Sequence, residues 1–125
     1  MPRSVFVKRV YDEPSPRDGL RILVDRLWPR GLSREAARVD RWMKELAPST
    51  ELRKWFNHDV DRWREFQERY ATELDRNADL VGELIALLEK RRVTLLYGAR
   101  DERHNQAIAL QAYLRGYEAD LKTRP

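Results

Sequence analysis

The chain has 125 residues, of which 42% are hydrophobic and 37% are charged. This length predicts one domain with a single core, and without an apolar run of about 18 residues no membrane-spanning helix is expected. The absence of cysteine excludes a disulfide framework, thiol catalysis and a cysteine-bound zinc site. No signal segment or cofactor motif is recognised, so a cytoplasmic protein without a cofactor is expected.

The net charge is +4, and the basic residues are twenty arginines and five lysines. Arginine presents a planar fork of donors that suits carboxylates and phosphates. On the helices most arginines are expected to pair with acidic neighbours. In the loops they are candidates for contacts with a ligand.

Two strands are predicted at the start of the chain. Val5–Tyr11 is rich in β-branched and aromatic residues, and Leu20–Leu27 begins with a buried apolar run. Between them, Asp12–Gly19 contains two prolines and a glycine, which predicts a loop or at most one helical turn. This link of about ten residues is short for a parallel crossover, so parallel and antiparallel pairing of the two strands both remain open.

A long helix is predicted next, over Arg34–Leu46, with Ser33 as its N-cap. The pattern behind this prediction is the helical spacing i, i+3, i+4, i+7 of four apolar residues. They are Val39, Trp42, Met43 and Leu46.

Three further helices are predicted before the next strand. Thr50–Phe56 follows a capping serine, Ser49, and Val60–Arg76 carries an aromatic stripe. Leu80–Arg91 is expected to be capped by Asp79. The aromatic stripe is interpreted as core packing. Its residues are Trp63, Phe66, Tyr70 and Leu74.

The chain then returns to the sheet. Val93–Gly98 is short and continuously apolar, as expected of a strand covered on both faces. A last helix is predicted over Glu102–Arg115, with Asp101 as cap and Gly116 as terminator, and residues 117–125 are expected to be a frayed tail. The fold is therefore predicted as one small α/β domain, with about five helices around a mostly parallel sheet of three or slightly more strands in Rossmann-like layers.

Polar side chains follow both the second and the third predicted strand. In open α/β sheets ligands bind at the carboxyl ends of the strands, and the N-terminus of the last helix favours an anion. The sequence therefore predicts a site for a phosphate- or carboxylate-bearing small molecule. Its ligand-binding candidates are Arg26, Trp28, Arg30, Arg100 and Asn105, and its catalytic candidates are Asp25, Asp101 and His104.

Among these candidates, His104 would work as a general acid–base with Asp25 or Asp101, while arginines stabilise negative charge. Purely structural roles also remain open: Asp25 would form an ion pair with an arginine of its own loop, and Asp101 would cap the last helix. His58 is interpreted as structural, because it lacks convergent partners in the sequence. No Walker A loop, G-x-G-x-x-G or G-x-S-x-G motif is present.

Five segments of the chain resemble the YeaO-like family of bacterial and archaeal proteins and occur in the same order as in that family. The family is classed as a domain of unknown function. The resemblance implies a small α/β fold with a mostly parallel sheet and carries no established activity. The resemblance also implies a broader set of relatives that carry a Cys-His-Arg motif after the equivalent last strand. This chain has His104-Asn105 near that place and no cysteine, so thiol chemistry suggested for those relatives does not transfer. The segments are VKRVYD (Val7–Asp12), LVDRLWPRG (Leu23–Gly31), WMKELAPS (Trp42–Ser49), LRKWFNHD (Leu52–Asp59) and LLYGARDERHNQA (Leu95–Ala107).

Two alternative functions remain open. A nucleic-acid-binding module is suggested by the basic charge and by an exposed tryptophan such as Trp28, although arginines and acids alternate along Val60–Arg76 in a pattern typical of ion-paired helices. A non-catalytic interaction protein, with a dimer formed through Trp55 and Phe56, is the third hypothesis. The oligomeric state is not predicted.

Overall fold

A parallel sheet lies at the centre of the molecule, whose computed structural model describes residues 5–123, with side chains as far as residue 116. In this part of the chain the four strands are β1 (Val5–Arg9), β2 (Leu20–Leu23), β3 (Arg41–Trp42) and β4 (Val93–Tyr97), in the spatial order β1-β4-β2-β3. The helices are α1 (Arg34–Ala37), α2 (Thr50–Phe56), α3 (Trp63–Asp75), α4 (Ala78–Lys90) and α5 (Gln106–Thr123).

β4 lies between the first two strands, which answers the question that the short link left open. Val93 is the partner of both Val5 and Leu20, so β1 and β2 run parallel but never pair with each other. All five residues of β4 are buried, as predicted for a strand covered on both faces. The link enters β2 through Gly19, whose φ of 66° and close approach to the carbonyl of Arg92 leave no room for a side chain.

The predicted helix Arg34–Leu46 is wrong. α1 ends at Ala37, Arg38 takes a left-handed conformation with φ 47°, and Arg41–Trp42 joins β2 as an edge strand. The reason is that the helical spacing joins residues that bury on opposite faces of the sheet. Val39 and Trp42 pack against one face, and Met43 and Leu46 belong to the core on the other.

The other helices lie close to their predicted positions, with corrected ends. Ser33 and Ser49 cap their helices as predicted, accepting hydrogen bonds from the N–H groups of Ala36 and Leu52. Asp79 is not a cap, because α4 already begins at Ala78.

α5 differs from its prediction at both ends. It begins at Gln106, with the side chain of Asn105 accepting a hydrogen bond from the N–H of Ile108, so Asn105 rather than Asp101 is the cap. It continues through Gly116 to Thr123, since one glycine inside a helix costs only about 1 kcal/mol relative to alanine. The predicted tail is therefore helical as far as Thr123, and residues 124–125 lie outside the described part.

The sheet separates two apolar clusters of unequal size. The larger contains buried side chains of α2, α3, α4 and α5 on one face, and the smaller contains Val10, Leu23, Ala37 and Leu96 on the other. Neighbouring residues Leu95 and Leu96 of β4 belong to different clusters, as the alternation of side chains along a strand requires. This is the predicted α/β arrangement of Rossmann-like layers. Among the described residues, no helix combines the length and apolarity needed to cross a bilayer.

Candidate functional site

A cavity of about 230 Å³ lies where β2 and β4 end. Its walls come from the loop after β2, from α2 and the turn that follows it, from α3, and from the segment between β4 and α5. The position agrees with the rule that open parallel sheets bind ligands at the carboxyl ends of their strands. Its polar and titratable lining residues are Asp25, Arg26, Arg53, His58, His104, Asn105 and Gln106, and its apolar ones include Leu27, Phe56 and Phe66.

Asp25 connects the two strand ends. The N–H of Val24 donates to the carbonyl of Leu96 in β4. The next residue, Asp25, directs its carboxyl toward the segment that follows β4. Its Oδ2 accepts a hydrogen bond from the N–H of Gly98 at 2.8 Å, and its Oδ1 accepts one from the side-chain amide of Gln106. A Cβ on Gly98 would lie 2.9 Å from Oδ2, so only glycine allows this close approach.

Burial raises the pKa of Asp25 from 3.8 to about 6, although the hydrogen bond from Gly98 and the charge of Arg53 act in the opposite direction. The desolvation of the charged form therefore outweighs its hydrogen bonds. A carboxylate of this kind is an unusual choice for stability alone, and perturbed acids in cavities are candidates for functional residues.

His104 is held in place by Asp101. Its Nδ1 lies 2.9 Å from Oδ2 of Asp101, and its ring meets the edge of Trp63 with centroids 5.3 Å apart. Hydrogen bonds from the N–H of Arg103, then from the side chain of His104, keep the pKa of Asp101 below its usual value, despite a weaker opposing effect of burial. The Nε2 of His104 has no hydrogen-bond partner among residues 5–116, so this nitrogen is available to a ligand.

The two arginines on the cavity differ in their attachment. Arg26 donates to the carbonyl groups of Ala47 and Pro48 at 3.1 and 3.3 Å, which holds the loop before α2 against the sheet. Arg53 of α2 forms no ion pair within the described part of the chain and is exposed. Arg53 is therefore the arginine whose guanidinium is free to bind a ligand.

His58 lines the same cavity, although the sequence favoured a structural role for it. Asn57 and His58 both have positive φ, 46° and 56°, a conformation that residues other than glycine adopt rarely. The turn after α2 thus keeps an uncommon backbone where it borders the cavity.

The structure divides the eight predicted site residues into two equal groups. Asp25, Arg26, His104 and Asn105 line the cavity, and Trp28, Arg30, Arg100 and Asp101 do not.

The residues outside the lining have other surroundings. Trp28 packs edge-on against Trp42 and donates to the carbonyl of Leu32 at 2.6 Å, so it is not the exposed tryptophan that was expected. Arg30 is exposed, and its carbonyl accepts a hydrogen bond from the hydroxyl of Tyr11. Arg100 is exposed as well.

Sequence reasoning missed Arg53 and Gln106. Gln106 follows the predicted His104-Asn105 pair directly, and its long amide could have been considered on that ground. Nothing in the sequence joins α2 to the ends of β2 and β4, because this contact depends on the packing of α2 against α3. In the described part of the chain, no group of three or more His, Asp or Glu side chains is placed to hold a metal ion.

Residues 4–123 match the family model DUF488-N3i, described as the inactive DUF488-N3 subclade. The chain belongs to this family. Among curated relatives of this DUF488-N3i chain, the uncharacterized protein YeaO of Escherichia coli (strain K12) is 44% identical over 112 residues, which cover 90% of this chain and 97% of that protein. The uncharacterized protein Rv3073c of Mycobacterium tuberculosis (strain ATCC 25618 / H37Rv) is 42% identical over 112 residues, or 90% and 94%. The resemblance to YeaO-like proteins is thus confirmed, and no solved structure matches the chain significantly.

Proposed function

We propose that this DUF488-N3i protein binds a small anionic molecule in the cavity at the ends of β2 and β4. The observation that carries the proposal is Arg53, a guanidinium on the cavity with no ion-pair partner in the described part of the chain. Arginine forms strong charge-assisted hydrogen bonds with carboxylates and phosphates.

The charges around the cavity favour the same sign of ligand. Arg26 and Arg53 are opposed by one acid, Asp25, and two histidines, His58 and His104, line the same cavity. α5 also points its N-terminus at the cavity through Asn105 and Gln106, and the partial positive charge of a helix N-terminus attracts anions. The name of the subclade, which calls it inactive, agrees with binding rather than thiol chemistry.

The test compares two arginines. Binding of inorganic phosphate and of isovalerate would be measured by isothermal titration calorimetry for the wild type, Arg53→Gln and Arg100→Gln. Loss of a charged hydrogen bond should weaken binding about tenfold or more in Arg53→Gln. Arg100→Gln is the control, because Arg100 is exposed and outside the cavity lining. Equal affinities of all three proteins would contradict the proposal.

Acid–base chemistry on the bound molecule is the second candidate. It is favoured by the contact between Asp101 and Nδ1 of His104, which resembles the way an acid orients a catalytic histidine. His104→Ala should then abolish turnover of a bound compound while Arg53-dependent binding persists. The description of the subclade as inactive speaks against this candidate.

The other two hypotheses gain no support from side-chain contacts. Along α3, Arg69 pairs with Glu65 at 2.5 Å and Arg64 lies 3.8 Å from Glu68, so these arginines are not a free stripe for phosphates. The two aromatic residues proposed for a dimer surface already have partners within the chain. Phe56 is only 5% exposed in the core, and the guanidinium of Arg69 lies over the ring of Trp55 at 4.2 Å.

A further inference from the structure

Asp25 has hydrogen-bonding capacity that the described residues of the protein do not use. Its two oxygens accept one hydrogen bond each, from Gly98 and from Gln106. An ionised carboxylate offers about four acceptor positions, so about two remain for a group that enters the cavity. The raised pKa of Asp25 comes first from desolvation of its charged form, so a donor that enters the cavity would stabilise this carboxylate.

Arg53 and Asp25 line one cavity and come from different elements, α2 and the loop after β2. The charge of Arg53 acts on Asp25, yet no ion pair joins the two side chains within the described residues. The cavity therefore presents a free donor group and a partly free acceptor group to the same ligand.

A simple anion would satisfy only one of these groups. Inorganic phosphate or a plain carboxylate would bind Arg53 but would bring its own negative oxygens toward Asp25, and like charges repel. A ligand that also carries a donor would pair with both. The remaining surface is apolar, from Phe56, Phe66 and Leu27, and it suits a short hydrocarbon side chain.

We infer that the ligand is a carboxylic acid with a hydroxyl or ammonium group next to its carboxylate and a short apolar side chain. Arg53 binds the carboxylate, and Asp25 accepts a hydrogen bond from the neighbouring group. The inference rests on the proposed anion site and names the class of its ligand. The cavity of about 230 Å³ lies just below the range of about 300–1,000 Å³ typical of ligand pockets, so it suits a small molecule.

Calorimetry on the full chain with three matched probes tests the inference: isovalerate, 2-hydroxyisovalerate and valine. They share one hydrocarbon skeleton and differ only in the group beside the carboxylate. 2-Hydroxyisovalerate, valine or both should bind about tenfold more tightly than isovalerate or better, because a hydrogen bond to a charged acceptor is gained. The tighter of the two distinguishes a hydroxyl from an ammonium ligand.

Substitutions at Asp25 then assign the preference to this side chain. Asp25→Ala removes the acceptor and should bring the affinities for the three probes together. Asp25→Asn is closer in shape, guards against a folding defect of the alanine variant, and should remove the preference for valine by removing the negative charge. Glu102→Gln changes an exposed acid outside the cavity lining and should leave the preference intact.

Two results would overturn the inference and separate it from the proposed function. If isovalerate or phosphate binds as tightly as the substituted acids and the binding depends on Arg53, the anion site stands and the assigned class is wrong. If none of the probes binds, phosphate included, both the site and its ligand class are wrong.

Discussion

The two aspartates that flank β2 meet opposite environments. Asp18, just before the strand, accepts hydrogen bonds from Lys8 at 3.2 Å, from Arg21 at 2.5 Å and from the N–H of Ser15 at 3.0 Å. Burial alone would raise its pKa, but these partners outweigh burial and the pKa falls below 3.8. Asp25, just after the strand, has no cation in contact among the described side chains, and its pKa rises to about 6.

The contrast separates a structural acid from a candidate functional one at the two ends of a strand of four residues. Asp18 is paired with cations and ties the start of β2 to β1 through Lys8. Asp25 keeps unused acceptor positions beside a cavity. Selection for stability alone would have paired Asp25 with a cation or replaced it with an uncharged residue. Charged groups in energetically unfavourable environments are typical of functional sites.

The largest effect is expected from a substitution that removes one of the cations paired with Asp18, just before β2. Arg21 is 4% exposed, and besides Asp18 it donates to the carbonyl groups of Ala37 and Arg38 at 2.8 and 3.1 Å. Arg21→Ala leaves Asp18 buried with one cation fewer and should lower the free energy of unfolding by about 3–5 kcal/mol. Urea denaturation would measure the loss.

The control for this prediction is an exposed ion pair. Arg41 lies 2.9 Å from Glu83, and both side chains are almost half exposed. Arg41→Ala should therefore change the free energy of unfolding by about 1 kcal/mol or less. If Arg21→Ala and Arg41→Ala cost the same, the buried pairing of Asp18 has no special role in the fold.

The second prediction concerns Asp25, just after β2, where a substitution should stabilise the folded protein instead of destabilising it. Because the pKa of Asp25 is higher in the folded protein, at about 6, than its ordinary value of 3.8, the wild type loses stability as the pH rises from about 4 through 6. Asp25→Asn cannot lose a proton. It should raise the free energy of unfolding by about 2–3 kcal/mol at pH 7, from a shift of about two pKa units at 1.36 kcal/mol each, and by almost nothing at pH 4.

Urea denaturation at pH 4, 5, 6 and 7 would check both aspartates in one series. Asp18 has a lowered pKa, so its contribution is present above about pH 4 and is lost as the pH falls through its folded pKa. Asp18→Asn should therefore destabilise the protein at pH 7, opposite to Asp25→Asn. The same sign for both variants would end the distinction between the two carboxylates.

Much of this arrangement could be predicted from the sequence. β4 was predictable because a short segment rich in apolar and β-branched residues suits a strand buried on both faces. The rule on strand ends predicted that Asp25 and His104 lie near each other, and both line one cavity. The edge strand β3 was not predictable, because its two residues, Arg41 and Trp42, are too few to show the alternation of a strand. Trp42 and the following Met43 also fitted the helical spacing of the predicted helix. The pairing of β3 with β2 is a tertiary preference that outweighs local periodicity.

The cavity shows the same limit. Arg53 is brought to the strand ends by the packing of α2, so its role depends on contacts between segments distant in sequence. Arg100 is adjacent to the predicted loop and still remains exposed outside the cavity lining. Position after a strand indicates the right edge of the sheet, but the direction of each side chain depends on the hydrogen bonds of the loop, such as those that Asp101 accepts.

The smallest expected effect tests whether the close approach of Gly98 holds the carboxylate of Asp25. Gly98→Ala would place a Cβ 2.9 Å from Oδ2, so the carboxyl must move and its 2.8 Å hydrogen bond from the N–H of residue 98 must lengthen. We expect a loss of about 1–2 kcal/mol in the free energy of unfolding and weaker binding of 2-hydroxyisovalerate. Gly82→Ala is the matched control, since this exposed position in α4 has no atom within 4 Å of the added Cβ and should gain about 0.5–1 kcal/mol. If both alanines stabilise the protein equally and leave binding unchanged, the geometry at Gly98 does not position Asp25, and the difference between the two ends of β2 must have another cause.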